Sequence, residues 1–101
     1  MMVNQIIDCP EKPTLSSATA GSLEPGSITL PICQEVVDHT ILVREDEIGD
    51  AMRLCHKKTG LKIEGSAGAA IAGWIKDKKR VGAKRKSCVV VCGGNIDDAL
   101  W

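Results

Sequence analysis

The feature that most constrains this chain is a short run near its carboxyl end, Cys88 to Val91, in which every side chain is apolar. A strand without polar alternation is typical of a sheet covered by helices on both faces, as parallel sheets are. Only Thr40–Val43 and Leu61–Ile63 also favour strands, and a central parallel strand needs neighbours on both edges. We therefore expect the 101 residues to hold part of a sheet, which a partner chain, a second copy or further sequence would complete.

Helical patterns fill most of the remaining sequence. The clearest helix begins with three acidic residues from Glu45 and ends with basic residues before Gly60, an arrangement that favours the helix dipole and a glycine stop. Apolar spacing predicts three helices in all: Ile28–Asp38, with Ser27 as its N-cap, Glu45–Lys58 and Ser66–Lys79. The predicted fold is α/β, a partial parallel sheet flanked by helices with right-handed crossovers.

The chain divides at about residue 27. Residues 1–27 are rich in Pro, Ser and Gly and predict a loop-rich segment, in which only Val3–Ile7 favours a strand. Residues 28–101 hold the α/β portion, and Asp97–Trp101 favours the start of another helix. The basic run from Lys76 to Lys86 predicts a solvated connector.

Charge and cysteine content narrow the class of protein. Thirteen basic residues balance thirteen acidic ones, and Phe and Tyr are absent, so we expect no nucleic-acid partner. No apolar stretch approaches a membrane span and the start lacks a signal-peptide pattern, so we expect no membrane association. Five cysteines form no even framework, which favours a reduced compartment, the cytoplasm.

Four motifs, in a fixed order, carry a resemblance to a known family. They are Thr19-Ala20-Gly21-Ser22-Leu23-Glu24-Pro25-Gly26, Ile41-Leu42-Val43-Arg44-Glu45-Asp46-Glu47-Ile48, Glu64-Gly65-Ser66-Ala67-Gly68 and Val89-Val90-Val91-Cys92-Gly93-Gly94-Asn95. Over residues 13–97 the sequence resembles the carboxyl-terminal third of the pyridoxal-phosphate-dependent serine/threonine dehydratases, a group that includes serine racemase. The resemblance implies the fold-type II, tryptophan-synthase-β-like catalytic domain and the cofactor pyridoxal 5'-phosphate. It also implies β-elimination of water from a hydroxy amino acid, giving a 2-oxo acid and ammonia.

The resemblance assigns site residues to two segments. Cys92 takes the position where the family places a Ser or Cys against the pyridine nitrogen, and Gly93 and Gly94 follow without side chains to block the ring. Glu64 takes an acidic position in the active-site hydrogen-bond network, which makes it the candidate catalytic residue. The spacing alone favours Cys92 as a small buried side chain that closes a strand. Glu64 is explained equally well as a first-turn carboxylate of a helix.

Two departures from the family pattern bear on activity. Ser17-Ala18 stand where family members have Asp-Gly. The Schiff-base lysine and the phosphate-binding glycine loop belong to the upstream two-thirds of the family, and no lysine here has the Ser-x-Lys setting of that motif. We therefore expect no catalysis by this chain alone, and a non-catalytic interaction or regulatory module is the alternative function.

Two other sites are disfavoured by the sequence. In a strand, Cys88 and Cys92 would lie about 13 Å apart, too far for one zinc ion with ligands about 2.3 Å away. Ser66 is better explained as a helix N-cap than as a catalytic hydroxyl, and Gly68 as a point of close packing than as a phosphate contact.

Overall fold

The computed structural model describes residues 12–21, 23–82 and 84–96, and within these ranges it is helical. A 3-10 turn, Ser17–Thr19, is followed by three α-helices: α1 (Thr29–Val36), α2 (Glu45–Thr59) and α3 (Gly65–Val81). The predicted strand Val3–Ile7, the predicted helix start Asp97–Trp101 and the thiol of Cys9 lie outside the described residues.

The α/β prediction with a partial parallel sheet is wrong for this structure. The segments at 40–43, 61–63 and 88–91 are loops, and no described residue belongs to a strand or a ladder. The physical reason is that a strand's backbone groups are satisfied only by a neighbouring strand, whereas a helix satisfies its own. The uniformly apolar run from Cys88 to Val91 consequently lies mostly exposed, with Val90 at 68% of its full accessibility.

Helix α2 forms as its sequence predicts. The backbone N–H of Arg44 donates to the Glu47 carboxylate across the first turn at 2.8 Å. At the other end, Gly60 adopts the left-handed conformation (φ 79°) and its N–H bonds the carbonyl of His56. A glycine pays no Cβ penalty there, so the predicted stop is confirmed.

Helix α3 begins one residue earlier and ends later than predicted. Gly65 is its first residue and Glu64 precedes it, so Ser66 does not occupy the N-cap position. The helix continues to Val81, which places the first part of the predicted basic connector on a helix. Asp77 explains part of this extension, because it accepts hydrogen bonds from Arg80 one turn later, at 2.7 Å to Nη2.

The core lies between α2 and α3. Ile48 and Met52 from α2 pack with Ala67 from α3 and with Ile63 from the connection between them. A Cβ on Gly68 would lie 2.6 Å from Met52 Cγ and 3.1 Å from the Ile48 carbonyl oxygen. Gly68 therefore allows the two helices to approach closely, as its sequence context predicts.

The other apolar faces are less well covered. Helix α1 buries no residue, and Ile28 just before it is 75% exposed. On α3, Ile71 packs against the core but stays partly buried, as does Trp74, and the buried residues of this helix are all small. No helix in the described part of the chain is long and apolar enough to cross a membrane.

Candidate functional site

The start of α3 meets the glycine turn that follows the apolar run. The backbone N–H of Glu64 donates to the carbonyl of Gly93 at 3.0 Å. This bond joins two segments that the sequence separates by 29 positions, and it brings all four predicted site residues, Glu64, Cys92, Gly93 and Gly94, into one neighbourhood. We call this neighbourhood, together with Ser66 and Asn95, the α3 entrance cluster.

The Glu64 carboxylate is the centre of the cluster. Its Oε1 accepts a hydrogen bond from Ser66 Oγ at 2.7 Å, and its Oε2 accepts one from the backbone N–H of Asn95 at 3.1 Å. The carboxylate is thus held from two sides, by its own helix and by the turn that ends at Asn95. A partly buried carboxylate with both oxygens bonded has a fixed orientation, which a loose surface carboxylate lacks.

Gly93 is required for this arrangement. A Cβ at Gly93 would lie between 2.6 and 2.8 Å from the Glu64 carboxylate carbon and oxygens. A Cβ at Gly94 would lie 3.2 Å from the carbonyl oxygen of Lys62. The absence of a side chain at Gly93 therefore makes room for Glu64, a role that sequence reasoning did not assign to it.

Cys92 is exposed, and its thiol is joined to the cluster through one hydroxyl. Sγ lies 3.4 Å from Ser66 Oγ, with the thiol as donor. Cys92 is a free cysteine, as are the other three described cysteines. The alternative that Cys92 is a small buried side chain does not hold in this structure, because the residue is open to solvent.

A third segment packs beside the cluster. Gly65 faces the backbone of Leu15 and Ser16 so closely that an added Cβ would overlap the Leu15 carbonyl and lie 2.6 Å from the Ser16 nitrogen. The same segment is fixed to α2 by Glu45, whose carboxylate accepts from Thr14 Oγ1 at 2.5 Å and from the Leu15 N–H at 2.8 Å. The Thr14 bond and then the Leu15 bond lower the pKa of Glu45 below its ordinary value.

Sequence reasoning missed two members of the cluster. Asn95 was part of the Cys-Gly-Gly-Asn motif, but it contributes its backbone N–H, which a sequence pattern does not reveal. Ser66 was predicted to be an N-cap, whereas its hydroxyl joins Glu64 and Cys92. The available signal was its position two residues after Glu64, at the first turn of a helix, where a side chain can turn back toward the preceding residue.

A separate open cleft of about 560 Å³ lies along α3 and shares no residue with the α3 entrance cluster. Its lining includes Trp74, Asp77 and Arg85. The Asp77 carboxylate lies 3.5 Å from the Arg85 guanidinium and 4.0 Å from the His39 ring. Hydrogen bonding from Arg80, and then its charge with those of Arg85 and His39, lowers the pKa of Asp77. This carboxylate ties three segments together, which is a structural role.

The chemistry of the α3 entrance cluster is that of a neutral donor beside an oriented acceptor. Cys92 and Ser66 offer a thiol and a hydroxyl, and Glu64 offers a carboxylate that only accepts when ionised. A set of this kind suits a polar edge of a heteroaromatic ring or the amino and hydroxyl groups of a small substrate. It has no cluster of positive charge with which to hold a phosphate.

Comparison with known proteins shows the family of this sequence. Residues 2–93 match the family model described as pyridoxal-phosphate dependent enzyme. Serine racemase from Dictyostelium discoideum is 40% identical over 76 residues, which cover 71% of this chain and 22% of that protein. The L-threonine ammonia-lyase of Geobacter sulfurreducens is 34% identical over 93 residues, which cover 92% of this chain and 23% of that protein.

A solved structure shares the backbone arrangement. The crystal structure of serine racemase from Dictyostelium discoideum superposes with a TM-score of 0.73 at 34% sequence identity, over 93% of this chain and 29% of that one. The chain spans less than a third of the length of the curated relatives it matches.

Proposed function

Because this chain belongs to the pyridoxal-phosphate-dependent enzymes, we propose that it is the carboxyl-terminal part of the catalytic domain of a serine/threonine dehydratase. Such an enzyme eliminates water from a hydroxy amino acid and releases a 2-oxo acid and ammonia. The proposal agrees with the resemblance to L-threonine ammonia-lyase and to serine racemase. In this proposal the chain contributes one wall of the active site, and Cys92 and Glu64 lie on that wall.

The observation that carries the proposal is the bond between the two motif segments. Glu64 and the turn from Cys92 to Asn95 are joined by a backbone bond of 3.0 Å and a side-chain bond of 3.1 Å. Hydrogen bonds of this kind would not be expected between two unrelated surface motifs. Their convergence supports one site that both motifs serve.

The residues fit one edge of the cofactor and leave its other groups to the rest of the enzyme. The exposed Cys92 thiol can reach a ring nitrogen, and the turn beyond it carries no side chain at Gly93 or Gly94 that would obstruct a flat ring. No described residue offers a glycine-rich loop or a cluster of cations for the phosphate. We assign Cys92, Gly93 and Gly94 to the pyridine edge on this basis.

When bound, the cofactor supplies an electron sink for negative charge at the substrate α-carbon. In this proposal, Cys92 contributes a neutral hydrogen-bonding partner at the ring nitrogen. A neutral partner stabilises a charged ring nitrogen less than a carboxylate would, because it provides no opposite charge. A weaker electron sink favours loss of the β-hydroxyl over a long-lived negative charge, which suits elimination.

Glu64 is the proposed catalytic carboxylate of this part of the domain. Its two oxygens are already held by Ser66 and the Asn95 N–H, so it faces the site in one orientation. A carboxylate so placed can accept a proton or a hydrogen bond from a substrate group near the ring edge. The lysine that forms the Schiff base is assigned to the other part of the enzyme.

The test is a transplant into a relative. Residues 13–96 replace the matched segment of the Dictyostelium serine racemase, and release of 2-oxo acid from L-serine and L-threonine is measured together with cofactor absorbance. We expect a cofactor-loaded chimera that releases 2-oxo acid. Cys92→Ser should retain most of the activity, whereas Cys92→Ala should lose about tenfold, the effect of one lost hydrogen bond of about 1.4 kcal/mol.

Cys88→Ala is the matched control, because Cys88 lies on the same segment and outside the cluster. A chimera that binds cofactor and releases no 2-oxo acid would contradict the dehydratase assignment. The 101-residue chain itself should give no new absorbance with the cofactor. Borohydride trapping of cofactor on a single one of its lysines would contradict the assignment of the Schiff-base lysine elsewhere.

The second candidate is a non-catalytic interaction module. The exposed Val90 and Val91 favour it, because apolar side chains in a continuous run attract a partner. Size-exclusion chromatography with light scattering tests this second candidate. Self-association of the isolated chain supports an associating surface, and a dilute, stable monomer argues against it.

A further inference from the structure

Ser66 occupies the point between the proposed catalytic carboxylate and the proposed cofactor thiol. Its Oγ lies 2.7 Å from Glu64 Oε1 and 3.4 Å from Cys92 Sγ. The residue is partly buried, and its hydroxyl does not cap the helix on which it lies. The backbone carbonyl of Glu64 takes part in the helix instead, accepting from the Gly68 N–H at 3.0 Å.

The direction of the two bonds follows from the donor and acceptor capacity of each group. A carboxylate oxygen only accepts, so the single hydroxyl proton of Ser66 goes to Glu64. The oxygen of Ser66 then turns its lone pairs toward the sulfur. The thiol proton of Cys92 is the donor that completes the row from sulfur to hydroxyl to carboxylate.

We propose that Ser66 is a positioning residue that orients the Cys92 thiol through its hydroxyl. The oxygen of Ser66 accepts the thiol proton at 3.4 Å, and the Ser66 proton is held by Glu64. The relevance to catalysis rests on the proposed function, because that function places the Cys92 sulfur at the ring nitrogen. The bond itself is a property of this chain and is testable without cofactor.

The experiment measures alkylation of Cys92 by iodoacetamide in the 101-residue chain, because the hydrogen bond to Ser66 restrains the sulfur that the reagent attacks. All proteins carry Cys88→Ser, so that Cys92 is the only thiol in the segment after Lys86. Site-resolved mass spectrometry follows Cys92, and Cys55 on α2 is the internal control for folding. The rates are recorded at one pH near neutrality.

The matched pair is Ser66→Thr and Ser66→Val, since the two side chains have the same shape and differ in the hydroxyl. Ser66→Thr should react within about twofold of the parent. Ser66→Val and Ser66→Ala should react about threefold faster near neutral pH, the effect expected for loss of one weak thiol hydrogen bond.

Equal rates for the Thr and Val variants would overturn the proposal, because the hydroxyl would then have no influence on the thiol. Faster alkylation of Cys55 in any variant would indicate unfolding. In that case the Thr and Val variants would be compared in the cofactor-loaded chimera, by the absorbance of the cofactor ring. If the chimera fails to bind cofactor while the thiol responds as expected, the proposed function fails and the positioning role of Ser66 stands.

Discussion

The α2–α3 pair is built from more polar sequence than the loop segments 40–43 and 88–91 on either side of it, yet only the pair is well packed. Ile48, Met52 and Ala67 are at most 4% exposed. Leu42 in one loop segment is 90% exposed and Val90 in the other is 68% exposed. The difference is that each helix satisfies its own backbone and needs one apolar face covered, whereas an apolar segment outside a helix needs hydrogen-bonding neighbours as well.

A charged residue holds the loop segment 40–43 against the helices. Lys76 Nζ bonds the carbonyl of Leu42 at 2.7 Å and pairs with Glu47 at 2.8 Å. Such exposed pairs each contribute little to stability. The stability of this chain should therefore depend on the helix pair and change little with the apolar residues of the loop segments.

The largest effect should come from Gly65→Ala. The added Cβ would overlap the Leu15 carbonyl, and backbone atoms on both sides cannot move aside as a flexible side chain can. We expect a loss of about 3 kcal/mol or more in the free energy of unfolding, at the upper end for overpacking. Urea unfolding followed by circular dichroism measures it. An unchanged urea midpoint would mean that residues 13–16 do not rest on α3 as described.

Truncating one apolar side chain in each region tests the comparison directly. Ile48→Ala should destabilise the chain by about 2–4 kcal/mol, because it leaves a cavity between the helices. Val90→Ala should change the free energy of unfolding by no more than about 0.5 kcal/mol, as at other exposed positions. If the two variants unfold at similar urea concentrations, the loop segment around Val90 is as well packed as the core and the contrast between the two regions is wrong.

Two glycines on α3 should respond in opposite directions. Gly68→Ala places a Cβ 2.6 Å from Met52 Cγ, so we expect a loss of about 1–2 kcal/mol, moderated because Met52 is flexible. At Gly73 nothing lies within 4 Å of the added Cβ, and alanine should raise stability by about 0.5–1 kcal/mol through helix propensity. Parallel urea titrations of both variants compare them. A stabilising Gly68→Ala would contradict the close helix contact.

The smallest expected effect is the change in stability at low pH that comes from Glu45. The folded state lowers the pKa of Glu45 below its ordinary value of 4.5, first through Thr14 and then through the Leu15 N–H. Its contribution to stability is therefore fully present above pH 4.5 and is lost as the pH falls through the lower, folded-state pKa. Glu45→Gln should be less stable than the parent at pH 7, and the difference should shrink at pH 3. A difference that does not change with pH would exclude an ionic origin.

Part of the α3 entrance cluster is predictable from the sequence. Glu64 and Cys92 were identified from motifs, and the structure brings them into one cluster; their roles stay predictions. Ser66 was assigned to the wrong helix position, because the helix begins one residue earlier than the sequence pattern indicates. A helix start can shift by a residue at little cost, but the shift changes which group a side chain meets.

The sequence by itself determined the three helices and the glycine stop of α2, because dipole-favourable charges, apolar spacing and a left-handed glycine act within a few residues. Only the tertiary structure decided that the apolar run at Val89–Val91 forms no sheet among the described residues. It also decided that Gly65 lies against the Leu15 backbone and Gly93 against the Glu64 carboxylate, where a Cβ would not fit. Strand pairing and close backbone approach depend on residues distant in sequence, and local patterns carry no information about whether those partners are in place.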